Sequence, residues 1–165
     1  MWADRFYASD SRNSRRLRAM YAGGAGNRTA RRFARLWATV FGWGLQPKRW
    51  VTLEVAGRAS GQPRQFPLGM ADLRGRWYLV SMLGECAWVR NVRAADGQAV
   101  LIRRGRRPVR LVEVPVTDRA RIIQRYLAQV PGARPHIPVA VDAPLADFER
   151  VAASTPVFAV HDRVG

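Results

Sequence analysis

Two arginines on either side of a glycine turn are the first residues whose type and spacing could do chemistry. The segment "VTLEVAGRASGQPRQFPLGM" places Arg58 and Arg64 around a loop that also contains Gly57, Ser60 and Gly61. Glycines supply positive φ angles, and the backbone N–H groups of such a loop can converge on an anion. Guanidinium groups bind carboxylate and phosphate through paired hydrogen bonds. The loop therefore predicts an anion site, and an exposed hairpin whose arginines protect a sheet edge is the alternative.

A second group of candidate residues follows the third predicted strand. The segment "ECAWVRNVRAA" predicts a short helix that carries Trp88, Asn91 and Val92 on one face. Asparagine is unfavourable within a helix unless its amide has a partner. The start of this helix, beside Gly84, is a second candidate anion site. For Trp88 the alternative is a place in the hydrophobic core.

Two other motifs carry chemically capable side chains. The segment "LIRRGRRPVR" surrounds Gly105 with arginines, which predicts a solvated hairpin tip. Nucleic-acid contact is the alternative, but the sequence has no recognition helix, stacking motif or zinc spacing to accompany it, and we predict no nucleic-acid partner. His136, in "RPHIP", is predicted to lie on a surface loop, with proton donation near a pocket as the alternative. His161 is predicted to be structural, on the same strand face as Val157 and Ala159.

The sequence offers no recognisable set of catalytic side chains. It contains no Ser/His/Asp or Cys/His arrangement and no suggestive pair of carboxylates, and we predict no metal site. Catalytic residues therefore stay unknown at this stage. If the protein is an enzyme, a cofactor is expected to supply the chemistry.

Composition limits the class of protein. The chain has 165 residues, of which 48% are hydrophobic, with one cysteine and a net charge of +16. These values predict one globular domain without a disulfide, in the cytoplasm, that is attracted to polyanions. The start of the chain lacks the apolar stretch of a secretory signal.

The elements that must position these residues follow from the periodicity. Residues 1–28 predict a loosely ordered basic arm, and residues 29–41 an amphipathic helix with arginines opposite its apolar stripe. That helix is predicted to pack on the remaining domain, and peripheral contact with the inner face of a membrane is the alternative. Further strands and helices are predicted from the segments "WVTLEVA", "QFPLGMA", "RWYLVSM", "QAVLIRR", "PVRLVEVPV", "DRARIIQRYLAQV", "PLADFERVAAS" and "PVFAVHD". The fold class is therefore mainly β (α+β), an antiparallel barrel of about six strands with peripheral helices, within a domain at 29–165.

These motifs resemble the deazaflavin-dependent nitroreductase family, the coenzyme F-420-dependent oxidoreductases of the split β-barrel superfamily. The family pattern is Gly-Arg-x-Ser/Thr-Gly-x-x-Arg and an early proline in the next strand, then Ser-x-x-Gly and Trp-x-x-Asn-hydrophobic. The resemblance covers roughly residues 30–160 and implies a split β-barrel that binds coenzyme F-420, with FMN the less favoured cofactor. It implies cofactor-binding roles for Arg58, Ser60, Gln62, Arg64, Pro67, Leu68, Ser81, Met82, Leu83, Gly84, Trp88, Asn91 and Val92.

The resemblance also implies which part of the coenzyme each group of residues would bind. The polyanionic tail would lie at Arg58 and Arg64. Ser81 to Gly84 and the helix of Trp88 and Asn91 would take the phosphate and flank the deazaflavin, with Pro67 and Leu68 near the ring. Ala59 and Met82 stand where many members have lysine. The implied function is hydride transfer between the deazaflavin and a hydrophobic acceptor such as a quinone, an enone or a nitro compound. A non-enzymatic barrel that binds a cofactor or lipid at a membrane surface is the alternative.

Overall fold

The chain forms an antiparallel β-barrel with helices on its outside. The structure is a computed structural model, and it describes residues 49–163. The strands are β1 (Trp50–Ala56), β2 (Pro63–Leu73), β3 (Arg76–Val80), β4 (Gln98–Ile102), β5 (Arg106–Glu113) and β6 (Val157–Asp162). The helices are α1 (Ala87–Ala94), α2 (Arg119–Gln129) and α3 (Leu145–Ala152). The strand order around the closed barrel is β1-β2-β3-β6-β5-β4.

The predicted fold class is confirmed. Each strand and helix predicted after residue 49 is present, although β2 reaches back to Pro63 and β5 begins at Arg106 rather than at the predicted Pro108. The basic arm at 1–28 and the helix at 29–41 lie outside the described residues. In the part of the chain that is described, no helix is long and apolar enough to cross a bilayer.

The strands bury residues on both of their faces, which produces two hydrophobic cores. Alternate residues of each strand point inward, and Leu53 and Leu79 fill the barrel interior together with Trp88 from α1. The outer face of β2 and β3 packs against α2 and α3, where Ile123 and Phe148 are fully buried. The first core holds α1 against the barrel, and the second holds the late helices.

Strand register brings the two candidate motifs to the same end of the barrel. Ala56 is opposite Pro63, so the 57–62 hairpin closes one end. Val80 pairs with Val157, which places the 81–86 loop at that same end. Helix α1 connects this loop to β4 and therefore lies there too. We call it the hairpin end; the turn at 74–75 and the hairpin at 103–105 are at the far end.

The barrel is split along one flank of β2. Strand β2 pairs with β1 from Pro63 to Gly69, but its pairing with β3 begins only at Met70. Within the described residues, the first half of β2 thus has one open edge. Pro67 lies on this half and has no N–H to offer a further strand.

Candidate functional site

The 57–62 hairpin is a closed loop with its arginines on the outside. The Gly57 N–H donates to the Gln62 carbonyl at 2.9 Å, and the Gly61 N–H to the Gly57 carbonyl at 2.7 Å. Gly61 has a φ of +67°, which explains the glycine. The Ser60 hydroxyl oxygen accepts from the Gln62 N–H at 3.3 Å. Ser60 and Gln62 are exposed beside Arg58, and the loop's own hydrogen bonds define its shape.

A contact between Arg58 and Asn91 joins the two sequence motifs. The Arg58 backbone N–H and its Nη1 each donate to the Asn91 Oδ1 at 3.3 Å. Asn91 is only 4% exposed, so its amide is buried where α1 meets the hairpin. This contact supplies the partner that an asparagine within a helix requires. It also turns the Arg58 guanidinium toward α1 and away from the open edge of β2.

The hairpin arginines have no carboxylate partner among residues 49–163. The Arg64 side chain is exposed and makes neither a hydrogen bond nor an ion pair within that range. The nearby carboxylate of Glu54 is bound by Arg106 and by Gln65. The hydrogen bond from Arg106 lowers the pKa of Glu54, which keeps that carboxylate ionised and engaged. The positive charge of the hairpin is therefore available to an external anion.

The 81–86 loop is held by its own side chains. The buried Ser81 hydroxyl donates to the Gly84 carbonyl at 2.6 Å and lies 3.3 Å from the Cys86 sulfur. Gly84 has a φ of +63°, and a Cβ there would lie 3.1 Å from the Ser154 carbonyl oxygen. The Ser81 hydroxyl therefore shapes the loop, while Met82 and Leu83 stay half-buried at its surface.

A cleft of about 250 Å³ opens beside this loop. Its lining is mostly uncharged: Met82, Leu83, Gly84, His136, Ile137, Pro138, Ser154 and Thr155. It combines the predicted 82–84 segment with residues from the 131–138 turn and from the loop between α3 and β6. His136 lies in a loop, as predicted, and it also lines the cleft, which is the position that the proton-donor alternative requires. In the described part of the chain, no cluster of three or more metal-ligating side chains is present.

Some predicted site residues lie in the core or on the barrel wall. Trp88 is 5% exposed and its ring centroid is 5.5 Å from that of Phe158, tilted by 58°. Val92 is buried beside it in the barrel interior. Leu68 packs toward that interior, and Pro67 takes the opposite face because side chains alternate along a strand. The core alternative stated for Trp88 agrees with this position.

His161 shares a face of β6 with Val157 and Ala159, as predicted, but it lies outside the core. It is exposed near the far end, opposite Arg110 in the β5–β6 ladder. Burial decreases along β6 from Val157 to Asp162, so His161 is exposed although Val157, on the same strand face, is buried.

An ion-pair cluster at the hairpin end links α1 to the 81–86 loop and to β5. The sequence did not predict it. Arg93 on α1 bonds to Glu85 at 2.7 and 2.9 Å and to Glu113 at 2.7 and 2.8 Å. Glu113 also accepts from the nearly buried Arg119 at 3.0 Å. The bonds from Arg93 lower the pKa of Glu113. The partners are 8 to 20 residues from Arg93 in the chain, and no local sequence pattern indicates them.

Comparison with known proteins identifies the family. The profile of the F-420H(2)-dependent quinone reductase family matches residues 27–144. No curated protein matches. The solved structure of a conserved hypothetical protein from Mycobacterium tuberculosis has a TM-score of 0.51 at 16% identity, covering 76% of this chain and 80% of that one. A protein of unknown function from Agrobacterium tumefaciens has a TM-score of 0.55 at 15% identity, covering 77% of this chain and 53% of that one. A structure described as an F-420-H2-dependent reductase has a TM-score of 0.47 at 20% identity, covering 69% and 95%.

The chain belongs to the F-420H(2)-dependent quinone reductase family, because the family profile matches most of its length. It is an oxidoreductase whose cofactor is coenzyme F-420. The structural similarities support the barrel fold and nothing finer.

The residues at the hairpin end fit this cofactor on two observations. Arg58 and Arg64 have no carboxylate partner among the described residues, as a site for a polyanionic tail requires. The Nδ2 group of buried Asn91 has no partner within residues 49–163, so one buried donor is left for a ligand atom.

Proposed function

We propose that this F-420-dependent reductase uses the hairpin end of its barrel to pass a hydride to a quinone. The observation that carries the proposal is the contact between Arg58 and Asn91 at 3.3 Å. It joins the glycine-arginine hairpin to α1, and the Arg58 guanidinium has no carboxylate partner within residues 49–163. Both motifs therefore belong to one surface, next to the cleft at Met82 and Leu83.

The arginines are proposed to bind the anionic tail. Arg64, on the open flank of β2, would bind the more solvent-exposed charges of the tail. Arg58, which Asn91 fixes, would bind the less mobile charges. The Nδ2 of Asn91 would donate to the ligand beside Arg58. The paired N–H donors of a guanidinium match the geometry of phosphate and carboxylate, so each arginine would orient the ligand as well as bind it.

The cleft is proposed to hold the reacting rings. Met82, Leu83, Ile137 and Pro138 line it with apolar surface that displaces water from a planar ligand. When bound, reduced coenzyme F-420 supplies a hydride from C5. The protein contributes position and exclusion of water, since the described residues show no nucleophile paired with a base.

A quinone suits this lining better than a nitro compound. A quinone is planar and uncharged, and the residues that line the cleft include no lysine or arginine to stabilise a developing nitro anion. Met82 stands at a position where many family members have lysine.

The acceptor is tested by oxidation of reduced F-420 in the presence of a soluble naphthoquinone, a nitroaromatic compound or a cyclic enone. We expect kcat/KM to be highest for the quinone. Met82→Glu should raise the KM for the quinone because it places a charge in the cleft wall. Val112→Glu, which adds the same charge at an exposed position outside the cleft, should leave that KM unchanged. A preference for the enone or the nitro compound contradicts the proposal.

Peripheral membrane contact through the basic N-terminal region stays a prediction, as does a cytoplasmic location. Co-sedimentation with anionic vesicles, with and without residues 1–49, tests the contact. Equal sedimentation of both proteins contradicts it.

A further inference from the structure

We propose that His136 donates the proton that completes reduction of the quinone in the cleft. The inference rests on the proposed function, because it assigns a second reacting group to the same site. Among the eight residues that line the cleft, His136 is the only one that titrates near neutral pH.

The backbone around His136 is held on both sides. The His136 N–H donates to the Ala133 carbonyl at 3.0 Å, which continues the turn that starts at Pro131. The flanking Pro135 and Ile137 are both buried, and Ile137 is part of the second core. His136 itself is half-buried and lines the cleft together with the 82–84 segment. The histidine therefore lies on a well-supported segment of the cleft wall.

The charged and titratable groups of the neighbouring elements are held by other partners. Glu85, next to Gly84, binds Arg93. Cys86 is buried against Ser81. Arg119, from α2, donates to the carbonyls of Ala152 and Thr155 at 3.2 and 3.5 Å.

On the segment of His136 itself, Arg134 donates to the Leu127 carbonyl at 3.0 Å. The cleft therefore has one candidate proton donor among the residues that line it.

The reaction needs one proton besides the hydride. Reduction of a quinone to a hydroquinone consumes two electrons and two protons. The hydride brings both electrons and one hydrogen nucleus to one carbonyl oxygen, so an O–H bond forms, both C=O π bonds are lost as the ring becomes aromatic, and the negative charge is left on the second oxygen. The imidazolium of His136 would give its N–H proton to that oxygen, and the neutral imidazole would recover a proton from solvent.

The inference predicts a pH dependence of defined sign. Only the protonated ring donates effectively, so kcat should fall as the pH rises through the imidazole pKa, near 6.5 for an unperturbed histidine. General acid catalysis contributes about 10²-fold or more. His136→Gln should therefore lower kcat by about that factor and remove this limb of the pH profile.

The first test reads the histidine rings without turnover. The chain has two histidines, so their imidazole signals in an NMR spectrum can be assigned with a single variant, His161→Gln. Adding menadione, a soluble naphthoquinone, should shift the His136 signal. His161, exposed near the far end, is the internal control and should not move. An unmoved His136 signal at saturating menadione overturns the inference.

The second test compares pH profiles with menadione and reduced F-420. The wild type and His161→Gln should share one profile, and His136→Gln should be slower and flat from about pH 6 to pH 8. If His136→Gln keeps the wild-type profile, the inference fails while the proposed function stands. If the wild type does not oxidise reduced F-420 with menadione, the proposed function itself fails.

Discussion

Removal of the Arg58 guanidinium should weaken binding of coenzyme F-420 by about tenfold. A hydrogen bond to a charged group contributes about 1.5–3 kcal/mol, and exposed ion pairs contribute less than about 1. Arg58 is exposed, but its Nη1 is fixed by the buried Asn91, and we therefore take the lower limit, about 1.5 kcal/mol. Since about 1.4 kcal/mol corresponds to a tenfold change in Kd, Arg58→Ala should raise Kd about tenfold. Arg64 lacks such an anchor, and Arg64→Ala should raise Kd only about twofold.

Arg104→Ala is the matched control. It removes the same charge from an exposed position in the far-end hairpin. Strand β1 has 7 residues, and at about 3.3 Å per residue it separates the two ends by roughly 20 Å. The Debye length in physiological salt is about 8 Å, so Arg104 should contribute little to binding at the hairpin end.

Isothermal titration calorimetry with oxidised F-420 measures the four dissociation constants. The effect of Arg58→Ala should shrink in 1 M salt, where the Debye length falls to about 3 Å. Equal losses of affinity for Arg58→Ala and Arg104→Ala would refute the reasoning, since only net charge would then matter. An unchanged Kd for Arg58→Ala would refute it as well.

Two further predictions concern the stability of the hairpin end. Gly97 follows α1 and has a φ of +75°, and a Cβ there would lie 2.2 Å from the Leu111 carbonyl oxygen. Gly97→Ala should therefore reduce the free energy of unfolding by about 3 kcal/mol and lower Tm by roughly 6–12 °C. Gly105→Ala, with open space around it, should leave Tm nearly unchanged in the same thermal scan, and equal shifts would contradict the steric argument. Bonds from Arg93 lower the pKa of Glu113 below the ordinary value for a glutamate, about 4.5. Their stabilisation is therefore present above about pH 4.5 and is lost as the pH falls below it. Glu113→Gln should therefore be less stable than the wild type at neutral pH, and its Tm should fall less on acidification. Parallel curves of Tm against pH for the two proteins would show that Glu113 contributes nothing to acid unfolding.

Local patterns predicted the barrel because they are properties of short segments. Alternation of apolar and polar residues in "WVTLEVA" and "QFPLGMA" is typical of strands, and β1 and β2 lie there. The boundary of β5 was less predictable, since cross-strand pairing with β4 extends it back to Arg106 across a proline at 108.

The candidate site was predictable only where its residues lie in local motifs. Arg58 and Asn91 were both singled out, but their contact spans 33 residues and depends on the register that brings α1 to the hairpin. The same holds for the position of His136 in the cleft wall. Trp88 stood in a motif whose family role suggested a place beside the coenzyme, yet its ring packs on Phe158, which comes from the last strand. A sequence motif therefore indicated which residues matter here and left open which of them face the ligand.

The position of the coenzyme is the measurement that tests the central claim most directly. A crystal structure of the full chain with bound F-420 should show the anionic tail on Arg58 and Arg64, and the deazaflavin at the cleft beside Leu83. Density for the coenzyme at the far end, or a tail that contacts neither arginine, would contradict the assignment of the hairpin end as the active site.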